Sequence, residues 1–181
     1  MTCIIGYQKD EDAWLGGDNA AVAGDQLFRL SNSKVWPNGP FLYGSAGSAR
    51  MAQLLRYSFT APEMKDGQTL VEYLTTDFID EIRRCFAIGG FAKKVDNRER
   101  GGCFMFGVGG RLFTVYPDYQ VLELSKDFAS IGSGSNYALG ALEVLHDEDS
   151  LSPEEKIQKA LEVAEEHCSS VSAPFHIKRT P

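Results

Sequence analysis

The sequence has no apolar run near the ~18 residues that a membrane-crossing helix needs, so no such span is expected. Its start lacks a basic segment followed by a long apolar one, so no secretory signal is expected either. Positive charge is in deficit: 18 Lys and Arg against 25 Asp and Glu leave a net charge of −7, which argues against a nucleic-acid partner. Cysteine is sparse and unpaired in pattern. Cys3, Cys85, Cys103 and Cys168 are far apart and form no C-x-x-C pair, so they read as reduced, mostly core thiols of a cytoplasmic protein. The three histidines, His146, His167 and His176, show no H-E-x-x-H or ligand-pair spacing, so no zinc site is expected. Gly132-x-Gly134 lacks the third glycine of a dinucleotide loop, and no cofactor is expected.

What is present suits one domain spanning residues 1–181, long enough to bury roughly 70% of its unfolded surface. Residues 2–8 read as a strand, and Ala13 to Ala23 as a second one interrupted at Gly16-Gly17-Asp18, the two making a hairpin. A third strand is expected from about Leu27 toward Val35. Pro37-Asn38-Gly39-Pro40 is a turn signal, and Phe41 to Ser45 a fourth strand. Apolar spacing then becomes helical: Met51, Leu54, Leu55 and Phe59 in one segment, Val71, Leu74, Phe78, Ile82 and Cys85 in a longer helix over 68–88. Residues 91–101 form the most charged stretch, with Lys93, Lys94, Arg98 and Arg100, and read as a solvated loop.

Strands return at Cys103 to Val108 and Arg111 to Tyr116 around the turn Gly109-Gly110, then at Tyr119 to Leu124 and Phe128 to Ile131. A helix follows Gly132-Ser133-Gly134-Ser135. Another opens on Ser152-Pro153-Glu154-Glu155, with Ser as N-cap, Pro at the first turn and Glu at the third position. Phe175-His176-Ile177 closes the chain as a short strand. The order is strands, helices, strands, helices, with no βαβ alternation and no repeat. That predicts an α+β fold of two antiparallel sheets, each covered by a helix pair.

The chemistry centres on Thr2. Removal of Met1 would place a hydroxyl and a free α-amine on one residue. An N-terminal amine can serve as general base for such a hydroxyl, and its ordinary pKa of about 7.7–8.0 suits that task. A nearby lysine would keep the amine neutral and stabilise developing negative charge. A carboxylate would hold the lysine, and a serine would orient the amine. Asp18, Lys34 and Ser133 are polar residues in otherwise apolar strand settings. Each alone could be a turn residue, a surface lysine or a helix cap. Cys3, next to Thr2, would face the opposite side of the strand and the core.

Thr2, Gly17-Asp18, Lys34 and Ile131-Gly132-Ser133-Gly134 resemble the signature of the proteasome β-subunit family of N-terminal nucleophile (Ntn) hydrolases, most closely its HslV-type bacterial protease subunits. Asp18 and Lys34 follow Thr2 by the family's sixteen and thirty-two residues. The likeness covers about residues 2–50 and 129–170. It implies a four-layer αββα sandwich and a threonine endopeptidase. Gly47, in Ala46-Gly47-Ser48-Ala49, would be the oxyanion donor, Ser133 the amine-orienting serine, and Glu166 and Ser169 weaker supports of the amine. It further implies unfolded polypeptide substrates, a homo-oligomeric ring and an AAA+ ATPase unfoldase as a possible partner. A small-molecule amidohydrolase of the same fold and a non-catalytic scaffold with Met1 retained are the alternatives.

Overall fold

A computed structural model describes residues 2–95 and 98–181; the expected removal of Met1 falls outside the described residues. In chain order the elements are β1 (Cys3–Lys9), β2 (Asp12–Gly17), β3 (Ala20–Ala23), β4 (Gln26–Arg29), β5 (Val35–Asn38), β6 (Phe41–Ala46), α1 (Ala49–Tyr57), α2 (Leu70–Tyr73), a π turn (Leu74–Phe78) and α3 (Ile79–Ile88). Then come β7 (Lys93–Val95), β8 (Arg98–Arg100), β9 (Cys103–Val108), β10 (Arg111–Val115), β11 (Val121–Glu123), β12 (Phe128–Gly132), α4 (Ser135–Leu145), α5 (Pro153–His167) and β13 (His176–Arg179).

Two antiparallel sheets dominate. One has the order β12-β1-β2-β13, the other β11-β10-β9-β6-β5. The period-2 alternation of strand side chains assigns each residue to a core. Along β1, Ile4 joins Leu15, Val35, Leu42, Met105 and Ile131 in a cluster drawn from both sheets. Its neighbours Cys3, Ile5 and Tyr7 turn the other way, onto Leu142, Ile157, Ala160, Leu161 and Ala164 of α4 and α5. On the second sheet Phe41, Tyr43, Phe104, Phe106 and Phe113 meet Met51, Leu54, Leu55, Phe78, Ile82 and Phe86 of the α1–α3 segment. α5 starts as its sequence predicts. Ser152 Oγ accepts from Glu155 N at 3.2 Å and Glu155 Oε2 from Ser152 N at 2.8 Å.

Several expected boundaries are corrected. The second strand is not one strand through Ala23: β2 stops at Gly17, and β3 pairs with β4 as a separate ribbon. The break comes from Asp18, whose carboxylate accepts from Cys3 N and Ala20 N and so turns the chain out of the sheet. The third strand expected from Leu27 to Val35 divides into β4 and β5, because residues 30–34 cross toward the second sheet. Pro37 and Asn38 belong to β5, not to the turn. β5 is an edge strand, where a missing N–H is tolerated. The long helix contains the π turn, where the Thr75 and Thr76 hydroxyls donate to Val71 O at 2.7 Å and Glu72 O at 2.6 Å. The expected loop over 91–101 contains the ribbon β7–β8.

Phe106 sits at the centre of the second sheet's helix-facing core, with ring centroids of Phe41, Phe78 and Phe113 at 5.7, 5.1 and 5.4 Å. Phe106→Ala should cost about 3–5 kcal/mol. Urea unfolding of the variant beside the parent protein checks this, and a loss under about 1 kcal/mol would contradict the packing described.

Candidate active site

Strand register builds the site. β1 pairs with β12 so that Cys3 faces Gly132, and with β2 so that Ile4 faces Gly17. The residue before β1, Thr2, therefore lies where Ser133 follows β12 and Asp18 follows β2. The second sheet contributes from its own ends: Lys34 precedes β5, and Gly47 follows β6. The three-residue backbone link 132–134 holds Thr2 closely. Gly134 N donates to Thr2 O at 3.2 Å, and a Cβ on Gly132, whose φ is +101°, would overlap that same carbonyl.

The side chains converge. Lys34 Nζ donates to Thr2 Oγ1 at 2.9 Å and to Asp18 Oδ2 at 2.8 Å. Asp18 also accepts from Cys3 N at 2.9 Å and from Ala20 N at 3.0 Å, so a fully buried carboxylate has three donors. Thr2 N donates to Ser133 Oγ at 3.1 Å. Thr2 is buried and the Lys34 side chain is 9% exposed, which places the ammonium in a poorly solvated setting. Burial pushes the Lys34 pKa below its ordinary value, and the Asp18 carboxylate opposes that shift. In such a setting a cation 2.9 Å from a hydroxyl oxygen stabilises negative charge there more strongly than it would in water.

Thr2, Asp18, Lys34 and Ser133 are thus brought together. Gly47 follows Ala46, whose Cβ lies 3.5 Å from where a Cβ on Gly132 would be, and has φ +94° and open space where a side chain would be. Glu166 and Ser169 are not part of the cluster; both are exposed. The core face of α5 runs through Ala160, Leu161 and Ala164, and Glu166 lies about 200° around the helix from Ala164, pointing outward. Ser170, next to Ser169 in sequence, is buried instead, and its Oγ lies 2.8 Å from Ser133 Oγ. Sequence reasoning misses Ser170 because the helix ends at His167, and helical spacing does not orient residues beyond that end. Cys3 is fully buried and its thiol is pushed up to about 12, chiefly by burial, which suits a packed core thiol and not a nucleophile. Among the described residues no group of three or more His, Cys, Asp or Glu could hold a metal ion.

The Lys34–Asp18 pair also bears on stability. Asp18→Ala strands a buried ammonium and two backbone N–H groups, and should cost about 3–5 kcal/mol. Adding Lys34→Met should return part of that loss. Chemical denaturation of the two variants tests this; equal stability of the single and double variants would show that the pair is not coupled.

No protein-family model matches the chain. Over 176 residues it is 31% identical to the ATP-dependent protease subunit HslV of Caldicellulosiruptor saccharolyticus, covering 92% of this chain and 91% of that protein. Over 171 residues it is 28% identical to the ATP-dependent protease subunit HslV of Sulfurovum sp., with the same coverage. Among solved structures, Thiobacillus denitrificans BPH in complex with epoxomicin superposes with a TM-score of 0.81 at 20% identity, over 99% of this chain and 98% of that one. End-to-end identity at this level, on a chain folded in this way, means that the protein belongs to the proteasome-type family of Ntn hydrolases that includes the HslV subunits.

Proposed function

We propose that the chain is a threonine endopeptidase subunit of the proteasome/HslV type, acting on unfolded polypeptides through Thr2 once Met1 has been removed. The observation that carries this reading is the bridging ammonium of Lys34, 2.9 Å from Thr2 Oγ1 and 2.8 Å from Asp18. A lysine held there has a clear chemical use and is a poor choice for packing alone.

The reaction is acyl transfer. Thr2 Oγ1 attacks the peptide carbonyl carbon while its proton passes to the Thr2 α-amine. The carbonyl oxygen becomes an oxyanion, received by the Gly47 N–H. The intermediate collapses, the peptide C–N bond breaks, and the α-ammonium protonates the leaving amine. Water then attacks the ester, gives its proton to the Thr2 amine, and releases the acid while Oγ1 is reprotonated. Lys34 keeps the amine neutral by like-charge repulsion and supports the attacking oxygen. Asp18 holds Lys34, and Ser133 orients the amine. A positioned base supplies about 10²–10⁴ in rate and one oxyanion donor about 10²–10³.

The family reading extends to the whole chain: residues 1–181 form one domain, and the three cores correspond to four layers, αββα. Subunits assemble into a homo-oligomeric cytoplasmic ring with the sites inside, fed by an AAA+ unfoldase. The β3–β4 ribbon supports a subunit contact, since Leu27 and Phe28 stand 49% and 47% exposed on it.

Intact mass before and after a peptide epoxyketone tests the nucleophile. Such a reagent needs a hydroxyl to add to its ketone and an amine to open its epoxide, both on one residue. Loss of Met1 and one adduct, absent from Thr2→Ala, is expected; Thr2→Ala should also bring peptide hydrolysis to background. Retained Met1 with no adduct would remove this reading. The pH profile carries a second test. Its acid limb reports protonation of the Thr2 amine, which the Lys34 charge pulls below about 7.7–8.0. Its alkaline limb reports loss of the Lys34 charge, which falls below the ordinary 10.5 because burial disfavours the ammonium. A rate still rising above pH 10.5 would contradict a charged Lys34 in the mechanism.

A further inference from the structure

A file of hydrogen bonds leads away from the Thr2 nitrogen. Thr2 N lies 3.1 Å from Ser133 Oγ, Ser133 Oγ lies 2.8 Å from Ser170 Oγ, and Ser170 Oγ lies 3.2 Å from Cys168 Sγ. Ser170 is buried, while Cys168, the C-cap of α5, is half-buried at the outer end. Each hydroxyl has one hydrogen to give, so the file has two polarities. With hydrogens pointing outward, the amine donates to Ser133, Ser133 to Ser170 and Ser170 to sulfur. With hydrogens pointing inward, Ser133 donates to the amine and ties up the lone pair that must take the Thr2 hydroxyl proton.

The outer end decides between them. A thiol is a weak donor and a thiolate is none, whereas either form of sulfur accepts. Burial works to raise the Cys168 pKa, but the hydrogen bonds from Ser170 and Ser133 outweigh it and hold the thiol below its ordinary value. The Thr2 carbonyl, at 3.3 Å, is a second acceptor for Ser133, longer than the 2.8 Å bond to Ser170 and equally sparing of the amine.

We propose that Cys168 is a positioning residue of this site: by accepting from Ser170 it fixes the outward polarity of the file and keeps the amine's lone pair directed at the Thr2 hydroxyl. This rests on the peptidase reading above. A serine at position 168 would be a strong donor and would admit the inward polarity.

The test compares full-chain parent protein with Cys168→Ser in steady-state hydrolysis of a fluorogenic peptide across pH. The charged and titratable groups facing the file are Lys34 and Asp18 from the site and the Cys3 thiol, itself pushed up to about 12, from β1. His167 packs at a tilt of 34° against Tyr137 of α4, and Glu165 is engaged by Ala173 N at 2.8 Å. The expected result is a kcat lower by roughly tenfold with KM unchanged, since only part of the base's contribution is lost. The acid limb should move to lower pH, because the inward polarity stabilises the neutral amine alone. A merely structural defect would lower thermal stability and leave that limb in place. If Cys168→Ser does not fold, Cys168→Ala removes the acceptor at the same point, frees the Ser170 hydroxyl to donate inward to Ser133, and should give a kcat loss in the same direction at constant KM. A folded variant with parental kcat and acid limb overturns the proposal while the peptidase reading stands. No hydrolysis and no epoxyketone adduct in the parent protein overturn both.

Discussion

The arrangement depends on one buried carboxylate. An ionised side chain removed from water costs several kcal/mol unless it is fully paired. Asp18 is fully buried, and its oxygens take Cys3 N, Ala20 N and Lys34 Nζ. Those donors come from three separate places: the start of β1, the exit from β2 and the entry to β5. Satisfying one charge therefore fixes two sheets relative to each other at the end where Thr2 lies. The same bonds that make Asp18 tolerable in the interior set the distance between Lys34 and the Thr2 hydroxyl.

The layering explains why the polar groups of this cluster come from strand ends. Alternation sends one side of each strand of the two large sheets to the inter-sheet cluster and the other to the helices, so that among the described residues most strand-interior positions are apolar, with Ser45 and Thr114 as buried exceptions. Polar residues appear where strands stop, after β2, after β12, before β5 and after β6. A site made from strand ends inherits the rigidity of the sheets without interrupting their cores. This also accounts for the glycine at 132. The chain must turn with positive φ directly against the Thr2 carbonyl, where any side chain would collide.

The same physics decides how much of this is legible in the sequence. Periodicity yields the two sheets, the helix segments and the cap of α5, because alternation and 3.6-residue spacing are local signals. The triad of Asp18, Lys34 and Ser133 is legible as polar residues in apolar surroundings at family spacings. The misreadings fall where local pattern and tertiary demand part company. Asp18 reads as an interruption within one strand; its carboxylate instead diverts the chain into a second ribbon. Residues 27–35 read as one strand, but the chain must cross between sheets to deliver Lys34. The resemblance points to Glu166 and Ser169, which are exposed, whereas beyond the helix end Ser170 is the buried residue. Nothing in the sequence orients a residue beyond a helix terminus.

Thr2 itself illustrates a wider constraint. Chain termini usually fray, because few contacts offset the entropy of ordering them. A residue this close to the start of the chain therefore has to be held by its backbone as well as by its side chain to keep one orientation. Here the Thr2 carbonyl accepts from Gly134 N and Ser133 Oγ, the nitrogen donates to Ser133, and the hydroxyl accepts from Lys34. Three polar groups of one residue are each engaged, and each partner comes from a strand end that the sheets already fix. The orientation of the Thr2 hydroxyl is thus established on folding, and under the proposed function that is the condition under which proximity lowers a barrier most. The lysine meets the Thr2 hydroxyl in a poorly solvated setting, where burial disfavours its charge and Asp18 beside it opposes that cost. Electrostatic strength and structural coupling in this site are the same contacts, so a change to either partner alters both.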